Sequence, residues 1–143
     1  MRLSLTSFSH VIDSYAWIEY FKASTEGGKA KGFIEGEGSA TPVIVVAEVS
    51  RKLLREVEAG KETKDERRRH LEFVRSSSQI IHIDFDRAVE AGEFDVEMKK
   101  KVRGWGLVDS IILTLARSVD ARVVTGDEHF REIKEAILIK EKP

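Results

Sequence analysis

Short apolar runs alternate along the chain with longer segments in which apolar residues recur every three or four positions. The short runs predict β-strands, and the longer segments predict helices with one core-facing side. Strands are expected near residues 8–12, 40–43, 80–83, 122–125 and 137–139. This alternation is typical of an α/β fold in which helices cover both faces of a mainly parallel sheet. The 143 residues fit one domain, 1–143, with a core large enough to fold without staples.

Turn and capping residues mark the ends of the predicted helices. Proline suits a helix entry, so one helix is expected to begin after Pro42 and to stop at Gly60. Asp86 is interpreted as the N-cap of a later helix. The helices expected are one from Asp13 to before Gly27, with a loop or short helix after it, and others over residues 43–60, 63–77, 86–98 and 107–119.

The composition excludes several classes of protein. There is no cysteine, which rules out disulfides, thiolate catalysis and sulfur-ligated metals, and fits a reducing compartment. The net charge of −1 does not attract nucleic acid over the whole surface, so any such contact must be local. Neither a signal-peptide pattern nor a segment of transmembrane length is present in the sequence. We therefore expect a soluble, cytoplasmic protein without a membrane partner.

Four acids border strongly apolar segments: Asp13, Glu48, Asp109 and Asp127. Ligands of open parallel sheets bind outside the carboxyl ends of the strands, where Asp13 and Asp127 are expected. Glu48 and Asp109 fall near the starts of predicted helices that could reach the same edge. A group of carboxylates repels itself unless a cation neutralises it. Oxygen ligands without a histidine or cysteine cluster favour Mg²⁺ or Mn²⁺, whose natural chemistry here is phosphodiester hydrolysis.

Each acid also has a local structural explanation. Asp13 and Asp109 could cap the helices that they precede or begin, and Asp127 could be a turn residue. Glu48 could form a surface ion pair with Lys52, one helical turn later. Only the joint arrangement of the four acids favours a metal site over these separate roles.

That arrangement resembles the PIN domain family, and most closely its VapC-type toxin ribonucleases. The resemblance lies in the segments VIDSYAWIEYF, TPVIVVAEVSRKL, WGLVDSIILTLAR and VVTGDEHF, in the family's order and over essentially the whole chain. It implies a three-layer α/β/α fold with strand order 3-2-1-4-5. It also implies RNA cleavage with Mg²⁺ or Mn²⁺, a homodimer, and an antitoxin partner whose peptide covers the acidic pocket.

By the family's pattern, the metal ligands and catalytic residues are Asp13, Glu48, Asp109 and Asp127. The resemblance further implies supporting roles for the hydroxyls of Ser14 and Thr125. Ser110 is a departure, because the family more often has Ala or another small residue there, although Ser is expected to fit.

A basic group precedes the third acid and suggests RNA contact: Lys99, Lys100, Lys101 and Arg103. Trp105, which follows, could stack on a base, although burial in the core is the favoured interpretation. His129 is interpreted as a local structural residue, because a water activated by a metal needs no separate base.

Two competing functions stay open. The first is a PIN nuclease of RNA processing or quality control, without an antitoxin. The second is a binding module without catalysis, either a PIN-like domain that has lost its metal or a receiver-like signalling domain. A receiver needs an acidic doublet after its first strand, whereas Asp13 is followed by Ser14 and Tyr15.

Overall fold

A computed structural model describes residues 7–140 of the chain. The first six and last three residues of the predicted domain lie outside the described residues. The beginning of the N-terminal stretch, which was interpreted as unlike a signal peptide, is among them. The strands are β1 (His10–Ile12), β2 (Ser39–Pro42), β3 (Gln79–Ile81), β4 (Arg122–Thr125) and β5 (Ala136–Leu138). The helices are α1 (Ser14–Lys22), α2 (Thr25–Glu35), α3 (Val43–Glu58), α4 (Lys64–Ser77), α5 (Phe85–Lys101) and α6 (Leu107–Ser118), with a 3₁₀ turn at Glu128–Phe130.

The five strands form one sheet in the order β3-β2-β1-β4-β5, and every neighbouring pair is parallel. The predicted α/β class, parallel sheet and strand order are confirmed. In the centre, His10 pairs with Arg122 and Ile12 with Val124, so β1 and β4 end side by side. Chain order reverses between these two strands, and this switch point is where open α/β sheets bind ligands.

Helices cover the sheet in two groups. Along the chain, α1 to α4 connect β1 to β2 and β2 to β3, and α5 and α6 connect β3 back to β4. Right-handed crossovers that run in opposite directions along the sheet place these two groups on opposite faces. The largest fully buried side chains include Trp17 of α1, Leu113 of α6 and Phe130 of the 3₁₀ turn. No helix within residues 7–140 is long and apolar enough to cross a membrane.

Helix α2 replaces the predicted loop or short helix. Ser24 caps its start by accepting a hydrogen bond from the Gly27 N–H at 3.0 Å. A Cβ at Gly27 would lie 2.1 Å from the carbonyl oxygen of Glu19, so glycine allows α2 to approach α1 closely. The helix buries only Gly27, Ala30 and Ile34, which is too weak an apolar pattern to predict it from sequence.

The prediction that Asp86 caps α5 is wrong. Asp84 is the N-cap, with its carboxylate accepting from the Arg87 N–H at 2.7 Å, and Asp86 lies in the first turn. The prediction failed because Phe85, the apolar residue between the two acids, does not enter the core and is 81% exposed. The helix also continues past Met98 to Lys101.

Candidate active site

Asp13 and Thr125 meet where the two central strands end. Asp13 directly follows β1 and is only 5% exposed. One of its carboxylate oxygens accepts from the Ala16 N–H at 3.0 Å, and the other accepts a short hydrogen bond from the Thr125 hydroxyl. The same hydroxyl accepts from the Asp127 N–H at 2.9 Å. Thr125 therefore links Asp13 to the turn that contains Asp127.

Tyr15 holds this turn from the other side. A Cβ at Gly126 would lie 2.2 Å from the Tyr15 ring, so only glycine lets the aromatic ring cover the turn so closely. The Tyr15 hydroxyl donates to Glu26 of α2 at 2.8 Å. Burial and the hydrogen bond to Glu26 raise the pKa of Tyr15 to about 12, so the hydroxyl stays a donor at neutral pH. The turn before Asp127 is thus fixed by α1 and α2.

Asp109 and His129 complete a compact group with Asp127. Asp109 lies in the first turn of α6 and accepts from the Gly106 N–H at 3.0 Å. The main-chain N–H of His129 donates to Oδ1 of Asp127 at 2.9 Å. Nδ1 of His129 lies 3.3 Å from Asp127 and 3.4 Å from Asp109. One candidate ligand atom from each of these three residues lies within 4.8 Å of the other two.

Glu48 lies on α3 and is half-buried, and it is not part of the group formed by Asp109, Asp127 and His129. Within the described residues its carboxylate forms no ion pair or hydrogen bond, so the alternative pairing with Lys52 is not found. The Lys52 ammonium instead donates to the Ser14 hydroxyl at 3.1 Å. Ser14, expected to support the first acid, is thereby joined to α3.

Burial dominates the electrostatics of these acids. Burial raises the pKa of Asp13 to about 7, although hydrogen bonds from Thr125 and the Ala16 N–H oppose the rise. The charge of Asp127 adds to the rise, and the charge of Lys52 counters it. Burial and the neighbouring Asp127 likewise raise the pKa of Asp109, against the Gly106 N–H and His129. Both raised pKa values identify acids whose negative charge the folded protein does not fully compensate.

The local roles and the shared role coexist. Asp13 caps α1, Asp127 caps the 3₁₀ turn, and Asp109 accepts from the main chain at the start of α6. Capping occupies Oδ2 of Asp109 and Oδ1 of Asp127. The second oxygen of each accepts no hydrogen bond from the described residues. The caps therefore orient the three carboxylates, and those of Asp109 and Asp127 each keep one oxygen available to a cation, whereas both oxygens of Asp13 accept hydrogen bonds.

A buried polar network lies behind Asp109. The Trp105 indole N–H donates to the Ser110 hydroxyl at 2.7 Å, and that hydroxyl donates to Asp95 at 2.9 Å. The Lys99 ammonium donates to the Trp105 carbonyl at 2.7 Å and lies 3.5 Å from Asp95. Trp105 is 2% exposed, so its predicted burial in the core is confirmed. The network fixes the loop that leads into Asp109, and the charge of Lys99 is directed to Trp105 and Asp95 of the protein itself.

The family model for the PIN domain matches residues 10–136, most of the chain. The chain belongs to the PIN domain family. This confirms the resemblance noted from the four acidic segments. No curated protein matches the sequence significantly.

Solved structures share the fold at low sequence identity. A chain of a toxin–antitoxin complex from Klebsiella pneumoniae is 22% identical with a TM-score of 0.70, over 94% of this chain and 100% of that one. The protein PAE2754 from Pyrobaculum aerophilum is 21% identical with a TM-score of 0.72, over 92% and 90%. VapC20 from Mycobacterium tuberculosis, a toxin that cleaves the sarcin-ricin loop, is 16% identical with a TM-score of 0.71, over 94% and 100%.

Two contacts at this site were not predicted from the sequence. His129 was interpreted as a local residue, yet it also approaches Asp109, which is 20 positions away. Lys52 was considered only as a partner of Glu48 and instead reaches Ser14, which is 38 positions away. For the first contact, the sequence offered only one indication: His129 lies two residues after Asp127, which was itself expected at the site. Neither could be predicted from local patterns, because each depends on how the helices and loops meet.

Proposed function

We propose that this PIN domain is a divalent-metal-dependent ribonuclease that acts as the toxin of a toxin–antitoxin pair. The observation that carries the proposal is the convergence of Asp109, Asp127 and His129 beside Asp13, at the switch point of the sheet. Asp109 and Asp127 each keep an oxygen that accepts no hydrogen bond from the described residues, and burial raises the pKa of Asp13 and of Asp109, which together suit a hard cation.

The donor set fits Mg²⁺ or Mn²⁺, because it is rich in carboxylate oxygen and has no cysteine. The proposed ligands, directly or through water, are Asp13, Glu48, Asp109 and Asp127, with the His129 imidazole within reach of the last two. When bound, the ion activates a water and offsets the charge of the attacked phosphate.

The protein's own groups hold this site in place. Thr125 and the Ala16 N–H fix the carboxylate of Asp13, and the Gly106 N–H orients Asp109. Such fixed positions reduce the reorganisation needed during reaction. Hydrolysis forms a bond between a water oxygen and phosphorus and breaks the P–O3′ bond. The attacking water gives up a proton to solvent, and the electron pair of the broken bond stays on O3′, which takes a proton from solvent. The products are a 3′-hydroxyl and a 5′-phosphate.

The proposed antitoxin would bind a groove lined by aromatic residues of α1 and α4. A cavity of about 570 Å³ is lined by Tyr20, Phe21, His70 and Phe73, and also by Lys31 and Arg69. Tyr20 and Phe73 stack with their ring centroids 5.7 Å apart. Such a surface would take apolar and acidic side chains of a peptide that continues over the acidic pocket.

A homodimer and a cytoplasmic location remain part of the proposal, and the lack of cysteine fits that compartment.

The test uses the purified protein and a defined pool of single-stranded RNA, with Mn²⁺ or with EDTA, and mapping of the cut ends. We expect cleavage only with metal, leaving 5′-phosphate and 3′-hydroxyl ends. Asp109→Asn should lower the rate by at least about 100-fold, the usual cost of losing one group that stabilises the transition state. Asp86→Asn, an equal charge change on an exposed acid of α5, should leave it unchanged. Undiminished cleavage in EDTA, or 2′,3′-cyclic phosphate products, would contradict the mechanism.

A further inference from the structure

Lys52 brings a positive charge to the edge of the acidic site. It lies on α3 one helical turn after Glu48, and its ammonium donates to the hydroxyl of Ser14 at 3.1 Å. Ser14 follows Asp13 directly and is only 6% exposed. The hydrogen bond thus holds the ammonium at the residue that adjoins the first acid in the chain. This lysine therefore faces the first acid and not the solvent side of α3.

The structural needs of the fold do not account for this charge. Within residues 7–140 no carboxylate lies within ion-pair distance of the Lys52 ammonium. The contact with Ser14 uses one of its three N–H donors, and a neutral donor would serve as well. Arg67 shows the contrasting case, because its guanidinium joins α4 to α3 through both the hydroxyl and the carbonyl of Ser50. Lys52 keeps donors available for a ligand.

An RNA phosphate that approaches this site meets several carboxylates. The whole chain carries a net charge of −1 and does not attract the phosphate by itself. A lysine ammonium is a compact point charge with rotatable donors, which suits a single phosphate oxygen. Its fixed place beside Asp13 puts that charge where the reacting phosphate must lie if the acids act on it.

We propose that Lys52 binds a non-bridging oxygen of the RNA phosphate that is cleaved, and that Ser14 holds its ammonium in position for this contact. The inference rests on the proposed ribonuclease function and adds a phosphate-binding residue to the acidic site. Ser14 is here a positioning residue, which acts on the phosphate only through Lys52.

The experiment compares Lys52→Met with Arg51→Met, which removes the same charge from the adjacent, solvent-exposed position of α3. Three quantities are measured for each variant: the single-turnover rate of RNA cleavage with Mn²⁺, the affinity for the same RNA with Ca²⁺ in place of Mn²⁺, and the affinity for Mn²⁺ alone. Lys52→Arg is included because it keeps the charge and can restore a phosphate contact. Circular dichroism and thermal melts check that each variant is folded.

We expect Lys52→Met to slow cleavage by about 100- to 1,000-fold, the range for loss of one donor that stabilises the reacting group in the transition state. RNA affinity should fall, and Mn²⁺ affinity should stay equal or increase, because a positive charge near the carboxylates has been removed. Arg51→Met should match wild type, and Lys52→Arg should recover part of the rate.

Cleavage by Lys52→Met at the rate of Arg51→Met would overturn the inference. Loss of Mn²⁺ binding in Lys52→Met would also overturn it, since Lys52 would then organise Asp13 and not bind phosphate. If wild type fails to cleave RNA with Mn²⁺, the proposed function fails, and RNA affinity alone decides on Lys52. Equal RNA affinity of the two methionine variants would then overturn the phosphate contact, and weaker binding by Lys52→Met would support it.

Discussion

Ser110 satisfies two buried polar groups at once. Its hydroxyl accepts from the Trp105 indole N–H and donates to Asp95, which is 8% exposed. Ser110→Ala leaves both partners without this hydrogen bond, and a buried unsatisfied group costs about 1 to 3 kcal/mol. We therefore expect the free energy of unfolding to fall by about that amount in urea titrations.

Ser118→Ala is the matched control on the same helix. The Ser118 hydroxyl is exposed and donates only to the Leu115 carbonyl at 2.7 Å, so its loss should change stability by less than about 0.5 kcal/mol. An equal effect of the two alanine variants would show that the Trp105–Ser110–Asp95 network adds nothing to stability. The sequence marked Ser110 as a departure from the family, and the network gives the reason for a hydroxyl at this position.

The three aspartates show why single-residue interpretations and the joint one were both useful. Asp13, Asp109 and Asp127 each make the local hydrogen bond that capping or turn chemistry predicts. These bonds fix the direction of each carboxylate, and the sheet then brings their ends together. The local role is the means by which the shared site is built, so finding one does not exclude the other.

The four residues predicted to contact RNA lie at the C-terminal end of α5 and just after it. They form two pairs, which differ in whether their charges already contact other groups of the protein. Lys99 bonds the Trp105 carbonyl, and Lys100 lies 3.5 Å from Glu97. Lys101 and Arg103 are exposed and form no ion pair within residues 7–140. Contact of any of the four with RNA stays a prediction, but the second pair offers more available charge.

We expect Lys101→Ala with Arg103→Ala to weaken RNA binding and to flatten its salt dependence. Each lost phosphate contact on a single strand reduces the slope of log affinity against log salt by about 0.7, so the pair should reduce it by about 1.4. Fluorescence anisotropy across a salt series measures both quantities. The control removes the exposed Lys61 and Lys64 instead. A slope that changes equally in the two double variants would mean that RNA does not follow the end of α5.

Strong local patterns gave the elements of the fold, and weak ones did not. The apolar repeat of α3 and the apolar run of β4 were correctly placed, because their residues enter the core. Helix α2 was not recognised as a full helix, because three glycines give it little helix propensity and it depends on contact with α1. The site contacts of His129 and Lys52 were missing for a related reason, since they join distant segments.

The strand order connects the fold to the chemistry. Because β1 and β4 are central neighbours and parallel, the residues that follow both strands emerge together at one edge. Asp13 and Asp127 lie there without any special loop, and the first turn of α6 adds Asp109. The order 3-2-1-4-5 came from family resemblance and not from hydrophobic periodicity, which predicts strands but not their neighbours.

The stability of the metal-free protein should fall as pH rises, because the buried carboxylate of Asp13 must ionise. Burial raises its pKa to about 7 from 3.8, so the folded state binds a proton that the unfolded state has lost within this interval. The stabilising contribution is complete below the unfolded pKa and is lost as pH rises through the folded one. A pKa that differs by one between the folded and unfolded states corresponds to about 1.4 kcal/mol, so the loss is on the order of a few kcal/mol.

The measurement is urea unfolding in EDTA, between about pH 4 and about pH 8, for wild type and Asp13→Asn. Asparagine cannot ionise, so the variant should lack this part of the pH dependence. His10, whose pKa burial and Arg122 lower, acts in the opposite direction, but it contributes equally to both proteins and cancels in their difference. The wild-type free energy of unfolding should therefore decrease relative to the variant as pH rises. A difference that stays constant across this range would mean that Asp13 is already ionised at low pH, and that burial does not store uncompensated charge at this site.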